Sequence, residues 1–429
     1  MKTAQLAWGK EYLTFQFPEE VEIHTIEAAP TQAIANFAEE VQRALEHPIN
    51  SLPLKEIVKP GEKVAIIVSD ITRLSFRTDG YLPIVLNELN KAGVPDQDIT
   101  VVMSTGTHRV QTPEEHRLIV GDEAFARVKI EDHDCLAKDL VYLGKSSRGT
   151  EITVNRTVYE ADRVILTGGV SYHLLAGFGG GRKSIAPGVT GYLSIQQNHG
   201  LALKDVGPSG LHPYVLTGVT KGNPVAEDMV EIAEKVGADF LINVVVNEKK
   251  EYIAVVAGEM NAAFEQGCRV VERAFGIPTD RQSDLVIASC GGYPKDIQLY
   301  QAIKGLDNAA YAVRDQGVII LISACSDGTG SDEFMRWFKY PDVHTMREAL
   351  HQDFTMPGFV ALRTASIISQ AKVILISTLP DEVVRGVNMV PAKNPEEAWS
   401  LAKQYLGEVK TITLMPHGAL TFPIISAGS

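Results

Sequence analysis

The sequence predicts an α/β protein of two lobes, each a mainly parallel, Rossmann-like sheet flanked by helices, with the active site in the cleft between them. Three observations predict it. Six short runs rich in Val and Ile are mostly non-alternating, as strands covered on both faces are. Amphipathic, helix-like stretches lie between them, and strands alternating with helices imply parallel βαβ units. The length, 429 residues, exceeds what a single α/β sheet of ordinary size uses.

The strand runs are KVAIIVSD (63–70), DITVVMSTG (98–106), DRVILTGGV (162–170), DLVIASC (284–290), GVIILISAC (317–325) and KVILIST (372–378). TDGYLPIVLNELNKAGV (78–94) sets Leu82, Ile84, Val85, Leu86 and Leu89 mainly on one helical face and stops at Gly93. TPEEH (112–116) offers Thr at the N-cap, Pro at the first helical position and Glu two residues later, and NPEEAW (394–399) repeats the device with Asn394. A boundary is expected in IPTDRQS (277–283), a polar stretch after a helix over 264–276. The N-terminal cofactor-binding domain then covers 1–276 and the C-terminal domain 284–405. The tail, 406–429, contains the strand-like TITLMPHGALTFP and is expected to return to the first domain.

Composition bounds the partners. Hydrophobic residues make up 45% and charged residues 22%, an ordinary globular balance able to fill a core. A net charge of −13 argues against nucleic acid or an anionic membrane surface as partner. No run approaches the roughly 20 apolar residues that span a bilayer, and the N-terminus lacks a signal-peptide core. Cys135, Cys268, Cys290 and Cys325 are scattered and form no C-x-x-C pair, which points to a reducing cytoplasm rather than to disulfides or structural zinc. Cys290 and Cys325 end apolar runs and read as small buried hydrophobes.

Ligands of open α/β sheets bind beyond the carboxyl ends of the strands. Those exits here carry Asp70-Ile71-Thr72-Arg73, Ser104 to Arg109, Ser171-Tyr172-His173, GGYPKD (291–296) and SDGTG (326–330). After the third exit comes GFGGGRKS (177–184), a near miss to a phosphate-binding loop. Its glycines start about seven residues after the strand, Arg182 stands at the last glycine position, and Pro187 and Gly188 prevent a long helix. Two readings remain: a glycine-rich turn with solvated Arg182 and Lys183, or a loop whose backbone approaches a ligand. His173, His199 and His108, a cluster suited to proton transfer or metal ligation, favour the second. The other eight histidines lack such context. Tyr300 and Lys304, one helical turn apart in IQLYQAIKG, suit a carboxylate-binding arm.

These blocks together resemble the nickel-dependent lactate racemase family over nearly the whole chain: SDITR (69–73), STGTHR (104–109), HLLAGFGGGRKSIAPGV (173–189) with QQNH (196–199), GGYPKDIQLYQAIKG (291–305) and CSDGTG (325–330). The resemblance implies a nickel-pincer nucleotide, a pyridinium-3,5-bisthiocarboxylic acid mononucleotide carrying nickel. In that reading Lys183 holds the cofactor covalently and His199 ligates the metal. His108 and His173 are the acid/base pair. Asp70, Thr72, Gly106, Gly180, Gly181 and Arg182 line the cofactor. Arg73, Tyr300, Gln301, Lys304 and Phe359 face the substrate.

The implied activity is interconversion of L- and D-lactate by reversible hydride transfer, with proteins of cofactor biosynthesis needed for maturation. The α-proton of lactate is too weakly acidic for an unaided histidine, whereas hydride removal leaves a planar 2-keto acid that can be reduced on either face. Each histidine then serves one hand, help typically worth ~10²–10⁴-fold. Two departures concern the pocket: Leu74 and Phe76 replace prolines frequent after the first strand, and Phe359 aligns where a substrate-side Trp can stand. The alternatives are a racemase or epimerase of another 2-hydroxy acid on the same cofactor, and a non-catalytic nickel- or nucleotide-binding protein. Paired bases argue against the last.

Overall fold

The structure, a computed structural model, describes residues 1–28, 30–207 and 210–425. It separates into two compact units. One comprises Thr31–Ala202 and Tyr214–Glu272, the other Met1–Pro30, Leu203–Pro213 and Arg273–Ser429.

The first unit is built on a six-stranded sheet. Its spatial order is Lys129–Asp132, Ile99–Ser104, Val64–Ser69, Arg163–Gly169, Phe240–Val246 and Tyr252–Gly258. In chain order this is 3-2-1-4-5-6. Neighbours are parallel except the last strand, which returns antiparallel. Both faces are covered. Val64, Ile66 and Val68 pack with Leu82, Val85 and Leu89 of the helix Leu82–Lys91, while Ala65 and Ile67 are buried on the opposite face. Each such side chain contributes about 1.5–3 kcal/mol on leaving water. The expected helix over 78–94 starts late because Arg77 takes a left-handed conformation and a short 3-10 turn, Thr78–Gly80, intervenes. The helix Pro113–Arg127 starts as its sequence demands. Thr112 Oγ1 accepts the Glu115 N–H at 3.2 Å, and Glu115 Oε2 accepts the Thr112 N–H at 2.9 Å.

The second unit holds a six-stranded, all-parallel sheet. Its order is Val390–Ala392, Lys372–Ile376, Val313–Ile322, Ser283–Ser289, Thr411–Met415 and Glu22–Thr25. The antiparallel hairpin Lys2–Trp8/Glu11–Phe17 places Leu6, Phe15 and Phe17 in the same core as Ile320 and Ile374. Cys290 and Cys325 are buried.

This arrangement corrects one expectation. The tail strand Thr411–Met415 pairs with Ser283–Ser289 in the second unit instead of returning to the first, and the N-terminal 30 residues join the same unit. A parallel strand can be recruited from any distance along the chain. The apolar run ITLM identifies a strand without identifying its neighbour. No helix among the described residues is long and apolar enough to cross a membrane.

Candidate active site

In the 3-2-1-4-5-6 sheet the strand order reverses between Val64–Ser69 and Arg163–Gly169, the place at whose carboxyl ends open α/β sheets bind ligands. Asp70 leaves the first of these strands and caps the turn Ile71–Phe76. Its Oδ1 accepts the Thr72 N–H at 3.2 Å and the Thr72 hydroxyl at 2.6 Å, and Oδ2 faces His108 Nδ1 at 2.5 Å. Asp70 is buried, while the His108 side chain is 52% exposed, so the imidazole is gripped at one nitrogen and presented to solvent. Burial works against the charge on Asp70, yet the hydrogen bonds from His108 and Thr72 outweigh it and hold the carboxyl below its ordinary value. A carboxylate on Nδ1 fixes the proton there and leaves Nε2 as the basic nitrogen. Thr72 serves Asp70 directly.

The strand Arg163–Gly169 runs into a small hairpin, Ser171–His173 against Gly177–Gly179, then into the 3-10 turn Gly181–Ser184. The glycines are explained by the protein's own packing. Gly180 has φ +85°, and a Cβ there would lie 2.8 Å from Gly169 O and Asn243 Oδ1. Gly181 has φ +55°, donates its N–H to Asn243 Oδ1 at 2.8 Å, and a Cβ would lie 2.6 Å from Phe264 Cδ2. Gly181→Ala is therefore expected to cost about 1–3 kcal/mol, read as a lowered urea midpoint. Asn243, fully buried on Phe240–Val246, is a supporting residue that no motif announced.

Arg182 points into the protein. Its Nη2 donates to Ala176 O at 2.9 Å and its guanidinium lies 4.2 Å from the Phe264 ring centroid. Its Nε and Nη1 have no hydrogen-bond partner among the described residues, and burial pulls its pKa down to about 10. Lys183 is half-buried. Burial, reinforced by the Arg73 and Arg182 charges, brings its amine down to about 7. Gly106, at φ +56°, donates its N–H to Gly188 O at 3.0 Å and ties the His108 loop to the stretch after Lys183.

His173 and His199 complete the cluster. Nδ1 of His173 accepts the N–H groups of Leu175 and Ala176, both at 3.2 Å, so the neutral ring carries its proton on Nε2. Burial, then the charges of Lys183, Arg73, His199 and Arg182, hold this ring well below its ordinary pKa. His199 is buried near the end of the helix Tyr192–Gly200. Burial and the Lys183 charge push its pKa to about 3, against a hydrogen bond with the Ile195 backbone. Asp70, Arg73, His108, His173, Lys183 and His199 are thus brought into one electrostatic neighbourhood.

The remaining expected residues belong to the second unit. The helix Leu299–Ala312 begins beyond the strand Ser283–Ser289 and carries Tyr300, Gln301 and Lys304. Lys304 Nζ donates to Gln301 Oε1 at 2.9 Å. Tyr300 sits edge-on to Phe334 at 5.6 Å, and burial, with Glu333 nearby, raises its hydroxyl to about 12. Phe359 is 0% exposed within the helix Met356–Gln370 and packs on Phe354.

Two doubly wound units, with a buried carboxylate paired to a histidine and a half-buried lysine near a strand-order reversal, define the class as an α/β fold with polar groups gathered beyond its strand ends. Family models agree. Residues 8–208 match the lactate racemase N-terminal domain and residues 279–422 the lactate racemase C-terminal domain. The lactate racemase of Thermoanaerobacterium thermosaccharolyticum is 31% identical over 427 residues, covering 97% of this chain and 98% of that protein. That of Lactiplantibacillus plantarum is 31% identical over 434 residues, covering 97% and 99%. The apoprotein structure of the T. thermosaccharolyticum lactate racemase superposes with a TM-score of 0.88 at 30% identity, over 99% of this chain and 100% of that one. A Thermotoga maritima protein at 18% identity, covering 93% of this chain and 100% of its own, shares the fold with a TM-score of 0.64. The chain belongs to the lactate racemase family, whose named members are isomerases.

Proposed function

We propose that this enzyme racemises lactate, with a nickel-pincer nucleotide tethered at Lys183 and ligated by His199. What carries the reading is membership of the lactate racemase family over nearly the whole chain, together with a half-buried Lys183 and a buried His199 gathered in one neighbourhood, where burial lowers the pKa of each. The donor chemistry fits the group. A neutral imidazole ligates a first-row metal, and a lysine half-deprotonated at neutral pH is a nucleophile toward an activated carboxyl or thiocarboxyl carbon. When bound, the cofactor supplies reversible hydride acceptance.

The protein's residues do the rest. His108 Nε2 takes the substrate hydroxyl proton while Asp70 holds Nδ1–H and stabilises the resulting imidazolium. His173 presents Nε2–H on the other side as a hydrogen-bond donor. Acylation of Lys183 removes one of the positive charges that suppress protonation of His173, so tethering favours its service as the second acid/base. Arg73 pairs with the substrate carboxylate, and a fixed cation supplies orientation as well as charge. A larger 2-hydroxy acid is the second reading. Leu74 and Phe76 in place of the family's prolines, and Phe359 where a substrate-side Trp can stand, favour it.

The test is co-expression with the cofactor-making enzymes, followed by intact mass, nickel content and loss of optical rotation of L-lactate. A mass increase on Lys183 with racemisation is expected. Protein without added mass or nickel sinks the cofactor assignment. A loaded enzyme that is inert on lactate but racemises a bulkier 2-hydroxy acid selects the second reading.

A further inference from the structure

The helix that carries His199 is anchored largely by polar contacts. Its first residue follows Gly191, which offers no side-chain cap. Ser194 Oγ accepts the Thr153 N–H at 3.0 Å, and Gln197 Oε1 accepts the Glu151 N–H at 2.6 Å. Asn198, the residue before His199, donates its amide both to Val225 O at 3.1 Å and to Asp228 Oδ2 at 2.9 Å. Asp228 lies on the helix Pro224–Val236 and is 0% exposed.

The Asp228 carboxyl gathers three segments. Oδ1 accepts the Ser146 hydroxyl at 2.5 Å, and Oδ2 accepts the Thr150 hydroxyl at 2.8 Å together with Asn198. Ser146 Oγ in turn accepts the Thr150 N–H at 3.1 Å, which locks the turn between Val141–Lys145 and Glu151–Val154. Among the described residues Asp228 makes no ion pair; neutral donors alone satisfy it. Burying a carboxylate without a cation is costly, and removing one of its donors leaves an unsatisfied charge. An asparagine would turn an N–H₂ toward hydroxyl and amide donors and break the set.

We propose that Asp228 is a positioning residue for the metal centre: through Asn198 it fixes the rotation of the Tyr192–Gly200 helix and hence the direction of the His199 ring. The inference rests on the nickel reading given above. Asn198 and His199 are consecutive on one helical turn, so a slip that frees Asn198 re-aims His199. Hydrogen-bond partners that orient a metal ligand typically set affinity by ~10–100-fold, and Asp228 acts on that orientation through Asn198, the residue before the ligand.

The experiment uses holoenzyme from co-expression. Asp228→Asn and Asn198→Ala are compared with wild type and with Glu231→Gln. The last breaks the Ser147–Glu231 contacts between the same turn and the same helix without touching the His199 helix. Nickel per protein is followed during dialysis against a chelator, alongside intact mass, melting temperature, kcat and KM. Both clamp variants are expected to keep the added mass on Lys183, to lose nickel ~10–100-fold faster, and to lose kcat with KM nearly unchanged. Glu231→Gln is expected to hold nickel like wild type. Clamp variants that melt earlier yet hold nickel as long as wild type overturn the inference, and so does equal nickel loss in Glu231→Gln. If Asp228→Asn does not fold, Asn198→Ala decides alone. Wild type without nickel or added mass fails the parent reading instead, an outcome distinct from all of these.

Discussion

Lys183→Ala is expected to fold, to show no added mass after co-expression, and to racemise at background. The turn Gly181–Ser184 holds Lys183 half-buried, within reach of the Arg73 and Arg182 charges. A free lysine titrates near 10.4, so at neutral pH fewer than about one amine in a thousand is nucleophilic. At about 7, half are. The sign follows. Below pH 7 the amine is protonated and inert; above it the amine reacts. Acylation of Lys183 in the apoprotein by an amine-selective reagent should therefore reach half-maximal rate near pH 7, located by peptide mass. A half-point near 10 removes the reason given for tethering at this residue.

The same shift predicts stability. The folded-state pKa lies below the unfolded one, so between about pH 7 and 10 the unfolded chain binds more protons and stability rises with pH. Below pH 7 the folded state bears the full cost of a charged, part-buried lysine. Lys183→Met apoprotein should consequently melt higher than wild type at pH 6 and lose that advantage by pH 10. Sites of this kind trade stability for reactivity.

Much of the fold was legible because strand runs such as VAIIVS and VIILI have to be covered on both faces, which only parallel α/β layering provides. Strand order was less legible. Residues 411–415 and 22–25 carry little information about their neighbours, and only the finished sheet places 411–415 beside Ser283–Ser289 and 22–25 beyond it at the edge. At the site, the reactive groups stood out by type at strand exits, but their supports did not. Asn243, Asn198 and Asp228 are ordinary polar residues that no motif singled out, and burial alone gives them meaning. The glycines of GFGGGRKS were read as room for a ligand. Gly180 and Gly181 are required by the fold as well, through Gly169, Asn243 and Phe264, a packing need that no motif announces.

Asp70→Asn carries the second large effect. The substitution keeps the shape of the contact with His108 Nδ1 at 2.5 Å and removes its charge. Thr72, which donates its N–H and hydroxyl to Oδ1, can keep the oxygen of an asparagine on its side. The amide N–H₂ then faces His108, the ring moves its proton to Nε2, and the nitrogen that should accept the substrate proton is blocked. Loss of a tautomer-setting carboxylate of this kind, together with its stabilisation of the imidazolium, is expected to lower kcat by ~10²–10⁴-fold. Nickel content and added mass should be unchanged, since the substitution leaves Lys183 and His199 themselves in place. The pH dependence separates this from a folding defect. The Asp70 carboxyl is held below its ordinary value, so its contribution to stability is complete above the unfolded carboxylate pKa, near 3.9, and is lost only as pH falls through the lower folded value. Wild type and Asp70→Asn should therefore differ little in how their melting temperatures change between pH 6 and 8 while their rates differ by orders of magnitude. Near-wild-type kcat in a loaded Asp70→Asn enzyme would remove His108 from the role of base.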